Sequence, residues 1–231
     1  MQIIPVLDIK GGRVVRGVMG DRANYRPIET PLAEGAAPVD VARGLMTLGD
    51  FRRFYIADLD AIEGGPANDA AIAELGAAFP QTEFWIDAGV RTSADAARIM
   101  TAPRHVAAIG SESIVDAGVA RDLAGEARVV LSLDFRGDSF LGPAEILNDA
   151  ALWPQQVIVM TLARVGSGAG PDLERLNAIV ARASGRAVFA AGGVRDATDV
   201  AALAKAGIAG ALVSTALHDG RLAPADLQRF A

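Results

Sequence analysis

DAGVRTSADAA, from Asp87 to Ala97, aligns without a gap on AGGVRDATDVA, from Ala191 to Ala201. Gly, Val, Arg and Asp recur in register, more than two alanine- and glycine-rich strings share by composition. The same shift sets Gly110-Ser111 on Ser214-Thr215. Each string follows a short apolar run, near Glu83–Ala88 and Arg186–Ala191, and leads into a helical pattern. A strand–helix unit at equivalent places in two parts of a chain marks a protein built from two similar halves. Six further strand-like runs complete the series, near Ile3–Asp8, Arg53–Asp58, His105–Gly110, Arg128–Asp134, Gln156–Thr161 and Ile208–Ser214. They are short and continuously apolar, as parallel strands buried on both faces must be. Helical patterns follow at Val39–Leu48, Asn68–Ala78, Ser93–Met100, Asp116–Leu123, Ala144–Leu152, Leu173–Ala183 and Ala197–Lys205, with a short tail from Pro224. Asn68, Ser93 and Asp196 read as helix caps. Eight strand–helix units over residues 1–231 predict one α/β domain, a single (β/α)8 TIM barrel of two similar half-barrels. An open doubly wound sheet is the alternative, but its glycine fingerprint is missing after the first strand.

Composition narrows the function. The chain has 231 residues, enough to bury roughly three-quarters of its unfolded surface. Apolar residues make up 51% and charged residues 22%, an ordinary globular mixture, and the 5% aromatic share suits packed strand–helix layers. A formal charge of −6 argues against a nucleic-acid partner, which needs a basic face. There is no cysteine, which excludes thiol nucleophiles and thiolate metal sites. His105 and His218 are the only histidines and lie far apart, so no imidazole metal site is expected. No apolar run is long enough to span a membrane. The opening MQIIPVLDIK reads as a first strand rather than a leader, and a cytoplasmic location is expected.

In such a barrel the carboxyl ends of the strands line the active-site mouth. Asp8 and Asp134 close the first strand of each half, on opposite sides of the ring. Strand-end aspartates taken singly most often cap loops; as a pair at equivalent places they suit general acid and base work. The second set is the glycine loops. Gly192-Gly193 ends a strand and opens a helix, offering backbone N–H groups to an anion, and Ser214-Thr215 completes that pocket. Gly89 with Gly110-Ser111 forms the matching pocket of the first half. Two pockets across one mouth suit a long substrate phosphorylated at both ends, and the expected partner is a small phosphorylated metabolite. Candidate specificity residues are Asp58, Asp87, Arg91, Thr161 and Arg164. Asp58 and Asp60 equally suit a loop-organising pair. GSGAGPD, Gly166 to Asp172, reads as a loop that closes over substrate or simply connects, with Pro171 at a first helical position. Arg13, Arg16 and Arg22 read as solvated, with an arginine there able to reach a phosphate. Both histidines read as surface or loop residues.

These residues carry a family likeness. IIPVLDIKGGRVVRGVMGD from Ile3, Asp58-Leu59-Asp60, GVR from Gly89, AGGVR from Ala191 and GAGPD from Gly168 resemble the histidine-biosynthesis barrel family. Within it they are most similar to the phosphoribosylformimino-aminoimidazole-carboxamide ribotide isomerase branch. The likeness covers essentially the whole chain in order. It implies two phosphate pockets, no cofactor and an Amadori rearrangement, in which an aminoaldose opens and becomes an aminoketose. It implies Asp8 as general base and Asp134 as general acid. It implies Gly89, Gly110, Ser111, Gly192, Gly193, Ser214 and Thr215 as phosphate holders.

The chain departs from the family pattern at the mouth. Asp87-Ala88-Gly89 stands where the family has a glycine triplet. A carboxylate ~4 Å from a phosphate is repelled by about 4 kcal/mol per pair of unit charges at an effective dielectric near ~20. Leu141-Gly142-Pro143 stands where the family offers a tryptophan, and Trp153 comes too late to replace it. Met160-Thr161 and Arg164-Val165-Gly166-Ser167 lack two acidic groups, and Ser214-Thr215 replaces Gly-Arg. Asp87 predicts that the first-half pocket has lost its phosphate. Three readings follow: an isomerase on a phosphorylated ribosyl aminoimidazole, a divergent lyase or synthase on another small phosphorylated compound, or a non-catalytic barrel that binds a metabolite or partner. The sister branch's cyclase role would need an ammonia-supplying glutaminase partner, and ADLDAIEGG and GDRANYRPI fit it less well.

Overall fold

The computed structural model describes residues 1–230. Eight parallel strands form its centre: β1 (Gln2–Lys10), β2 (Arg53–Asp58), β3 (Glu83–Asp87), β4 (His105–Gly110), β5 (Val129–Arg136), β6 (Gln156–Thr161), β7 (Ala187–Ala191) and β8 (Gly210–Val213). Each pairs in parallel with the next, and β1 pairs with β8 through Gln2–Pro5 against Gly210–Val213, so the sheet closes on itself. Helices α1 (Pro38–Met46), α2 (Asp69–Ala78), α3 (Ser93–Ile99), α4 (Ala117–Leu123), α5 (Ala144–Asn148), α6 (Leu173–Val180), α7 (Ala197–Lys205) and α8 (Pro224–Gln228) lie along the chain between and after the strands. This is the predicted (β/α)8 barrel.

Strand alternation divides the core in two. Side chains of successive residues point to opposite faces, so one parity fills the barrel and the other packs under the helices. The interior set includes Ile4, Tyr55, Trp85, Val106, Val130, Ile158, Phe189 and Leu212. Trp85 is fully buried, with the Phe189 ring edge-on at 4.9 Å and the Arg53 guanidinium 4.5 Å from its own ring centre. The outer set, with Leu7, Ile56, Ile86, Ile109 and Leu131, joins the helix faces in the larger cluster. Following the interior parity upward leads from Ile4 to Asp8, from Trp85 to Asp87 and from Val130 to Ser132 and Asp134. The polar floor of the mouth is therefore an extension of the barrel's packing order.

The repeat is visible in three dimensions. The shift that carries Asp87 onto Ala191 carries β3 onto β7 end to end. Beyond each strand, the Arg91 N–H donates to Asp95 at 3.2 Å and the Arg195 N–H to Asp199 at 2.9 Å. The cap of α3 is Thr92, whose hydroxyl accepts from the Asp95 N–H while Asp95 accepts from the Thr92 N–H; it is not Ser93. Asp196 caps α7 as expected, accepting from Thr198 and Asp199. Asn68 precedes α2 but sends its amide elsewhere, as described below. Pro171 lies outside α6, whose cap is Asp172. The Ala144–Leu152 pattern divides into α5 and a 3-10 turn at Ala150–Leu152, and Trp153 is buried beside them with its indole N–H on the Ile146 carbonyl. His218 is also buried, in the short helix Thr215–His218, with Nδ1 3.1 Å from the Thr30 hydroxyl. The apolar environment outweighs the surface preference expected of it. No helix among the described residues is long and apolar enough to cross a membrane.

Candidate active site

The carboxyl ends of the strands surround a cavity with about 1010 Å³ of empty space, part of it open to solvent. Asp8, from β1, and Asp134, from β5, both line it, on strands on opposite sides of the ring. Their surroundings differ. The Asp8 carboxylate accepts no hydrogen bond from any described residue. Gly17 lies against it: a Cβ at Gly17 would come within 2.7 Å of Asp8 Oδ2. Burial raises the Asp8 carboxyl to about 7, and the positive charge of Arg22 pulls in the opposite direction.

Asp134 is held on every side. Ser132 Oγ donates to Oδ1 at 2.6 Å; Ser111 Oγ and the Glu112 N–H donate to Oδ2 at 3.2 and 3.1 Å. Its own N–H donates to Ser111 Oγ at 2.9 Å. Burial lifts this carboxyl to about 7, against the Ser132 hydrogen bond and with help from the charges of Glu112 and Asp87.

Asp87 stands between them on the interior parity of β3. Its carboxylate accepts from the Tyr55 hydroxyl at 3.1 Å and from the Gly89 N–H at 3.1 Å. Burial raises it to about 6. Two residues complete this side: Arg22, expected to be solvated, and Glu112, which the sequence analysis does not single out. Arg22 is not solvated: it extends from the first loop into the mouth and pairs with Glu112, at the end of β4. Glu112 directly follows the Gly110-Ser111 strand end, which is the signal that could have found it. Nothing local marks Arg22, because its partner is 90 residues away.

The second-half loops present the opposite chemistry. Gly192, Gly193, Ser214 and Thr215 line the cavity with Arg195 and Arg221 at its rim. Gly193 has φ +91°, and a Cβ there would sit 2.2 Å from the Gly170 carbonyl oxygen, so only glycine lets the two loops touch. The Gly193 and Val194 N–H groups donate to no described residue. Arg195 is gripped by both oxygens of Asp199 at 2.8 Å.

The matching first-half residues do not line the cavity. A Cβ on Gly89 would press on the Ile62 and Ala61 backbone, and the Gly89 N–H is taken by Asp87. Gly110 lies beside the carboxylates of Asp134 and Asp87, and Ser111 is fully buried on Asp134. Several proposed specificity residues are also occupied elsewhere. Asp58 follows inward Ala57 on β2, so it points outward; fully buried, it accepts from the Ala61 N–H and from the Asn68 backbone and amide. Asp60 accepts from Asn68 and from the Gly11 N–H, so this pair organises loops. Thr161 is buried on the outward parity of β6. Arg91 is exposed outside the cavity. Arg164 donates to the Ala169 and Gly170 carbonyls at 3.1 Å and fastens the Gly166–Asp172 loop. That loop also meets the first loop over Asp8, where the Met19 N–H donates to the Val165 carbonyl at 2.8 Å.

Residues 2–223 match the family described as histidine biosynthesis protein. The chain belongs to that family. Among its relatives, an uncharacterized protein of Methanocaldococcus jannaschii is 28% identical over 96% of this chain and 95% of its own. A protein of Rubrobacter xylanophilus is 33% identical over 95% of this chain and 92% of its own, and one of Halorhodospira halophila 31% over 96% and 94%. Both are named imidazole-4-carboxamide isomerases, and the substrate in their name carries two phosphoribosyl groups. The histidine-biosynthesis fold thus arrives here with two unlike ends to its mouth, one rich in carboxylates and one rich in free backbone donors.

Proposed function

We propose that this family member is an intramolecular aldose–ketose isomerase. It carries out an Amadori rearrangement on a phosphorylated ribosyl aminoimidazole, with Asp8 as base and Asp134 as acid. The observation that carries the reading is the opposed pair of mouth-facing carboxyls, both raised to about 7 but with opposite neighbours. Arg22 favours ionised Asp8; Glu112 and Asp87 favour protonated Asp134. Environments that push two carboxyls toward different protonation states divide the acid and base roles.

The chemistry then balances without an added reagent. Asp134 gives its proton to the ring oxygen of the aminoaldose as the C1–O bond breaks, leaving a C1 iminium. Asp8 removes the proton from C2, and the electron pair of that C–H bond neutralises the iminium to give an enaminol. Return of a proton to C1 and loss of the C2 hydroxyl proton give the aminoketose. The phosphate is held by the Gly193 and Val194 N–H groups with Ser214 and Thr215. The relatives' isomerase names and the cavity's small-metabolite size support this reading.

One observation favours a second reading. The carboxylates of Asp87 and Glu112, with Arg22, occupy the place where a second phosphate would lie, which suits a divergent member acting on another small phosphorylated compound. The test is turnover of the aminoaldose named for the relatives, beside its two analogues that each lack one phosphate. Conversion of at least one to its ketose, lost in both Asp8→Asn and Asp134→Asn, is the expected result. A folded protein that converts none of the three is not an isomerase of this type.

A further inference from the structure

The two halves of the mouth are related by the sequence repeat, so their donors can be compared position by position. In the second half the Gly193 N–H is free, and Ser214 and Thr215 line the cavity. In the first half the counterparts of the Gly193 N–H and of the Thr215 donors are used by the protein itself. The Gly89 N–H, counterpart of Gly193, donates to the Asp87 carboxylate. The Ser111 hydroxyl, counterpart of Thr215, donates to Asp134, and the Ser111 N–H donates to the Ser132 carbonyl. The Glu112 N–H also donates to Asp134. Arg22, the cation that reaches this end, is paired with Glu112. Asp87 is itself fixed by the buried Tyr55 hydroxyl, so it is not free to swing aside. The first-half pocket is built around protein carboxylates.

We propose that the mouth takes a ligand with a single phosphate, seated on the Gly192–Val194 and Ser214-Thr215 loops, whose opposite end offers amine or hydroxyl donors to Asp87 and Glu112. Resting on the isomerase reading, this narrows the substrate class to aminoaldose monophosphates, in contrast to the two phosphoribosyl groups in the relatives' names. A phosphate at the first-half end would meet two carboxylates and find the Gly89, Ser111 and Glu112 N–H groups already spent. An amine there would complete the charge that Arg22 leaves unbalanced.

Equilibrium dialysis of the full chain against radiolabelled inorganic phosphate counts the sites. The expected result is one site per chain, abolished by Thr215→Glu in the second-half loop. The double variant Asp87→Gly/Glu112→Ala frees the Gly89 N–H and should raise the count to two. Circular dichroism checks its fold, and the isosteric Asp87→Asn/Glu112→Gln pair serves as the milder version. Two sites in the wild type, a single site insensitive to Thr215→Glu, no site at all, or a count of one in both folded double variants would each overturn the proposal. The count needs no turnover. An inactive protein with one site therefore refutes only the isomerase reading, and an active one with two sites refutes only this proposal.

Discussion

Asp8 and Asp134 owe their properties to burial without full charge compensation, and this makes predictions about rate and stability. Replacing either with asparagine should lower kcat by ~10²–10⁴-fold, the usual contribution of a positioned acid or base. The pH profile of kcat/KM should be a narrow bell near 7, since Asp8 must be ionised and Asp134 protonated, both with values of about 7. Glu112→Gln removes a charge that raises Asp134, so the alkaline limb should move to lower pH; an unmoved limb would mean that Asp134 is not the acid. Stability follows by linkage. A carboxyl at about 7 in the fold and near its ordinary 3.8 unfolded binds more protons folded than unfolded between those values. Stability is then lost as pH rises through that window. The full linkage is about 4 kcal/mol, and water in the open mouth reduces it, so Asp8→Asn should be more stable than wild type by about 2 kcal/mol at pH 8. The gain should vanish toward pH 4, as read by urea unfolding at both pH values. The sequence made Asp8 and Asp134 legible because each ends an apolar strand. It made Asp58 look equivalent to Asp87, and only the parity of each strand separates them: Tyr55 and Ala57 face inward, so Asp58 cannot, whereas Trp85 and Asp87 do.

The loops and caps set the site's shape. Gly166 has φ +65°, and a Cβ there would lie 2.5 Å from the Gly17 carbonyl oxygen. Gly166→Ala should therefore part the first and sixth loops above Asp8 and lower kcat/KM by ~10- to 100-fold, as small misplacements do. An unchanged kcat/KM would show that the loop contact does not serve the reaction. Thr92→Ala, by contrast, removes only the cap of α3, whose equivalent in the second half is Asp196. It should cost about 1 kcal/mol in denaturant unfolding and leave turnover intact. The strands were legible because parallel strands buried on both faces are unbroken apolar runs. The loop tertiary contacts were not: Arg22 meets Glu112, and Asn68 meets Asp58 and Asp60, through folds of the chain that no local pattern encodes. Asn68 has the chemistry of a cap, yet two carboxylates compete for its amide and win.

The whole molecule rests on closure of the ring and on the repeat that builds it. Trp85 plugs the barrel beneath Asp87 against Phe189. Trp85→Ala should cost about 3–5 kcal/mol, with loss of phosphate binding as the mouth floor collapses; a smaller cost would mean that the lower layers carry the core. The repeat allowed the barrel to be read from eleven-residue strings, and it also made the two phosphate pockets look alike. They diverge because Asp87 takes the Gly89 N–H, and Asp134 takes the Ser111 hydroxyl and the Glu112 N–H. The decisive measurement follows the reaction itself: an aminoaldose monophosphate incubated with the protein in deuterated water and observed by NMR. Conversion to the ketose with loss of the C2 proton to solvent, abolished in Asp8→Asn and in Asp134→Asn, is the predicted result. Conversion that survives either substitution would contradict the two-carboxylate account.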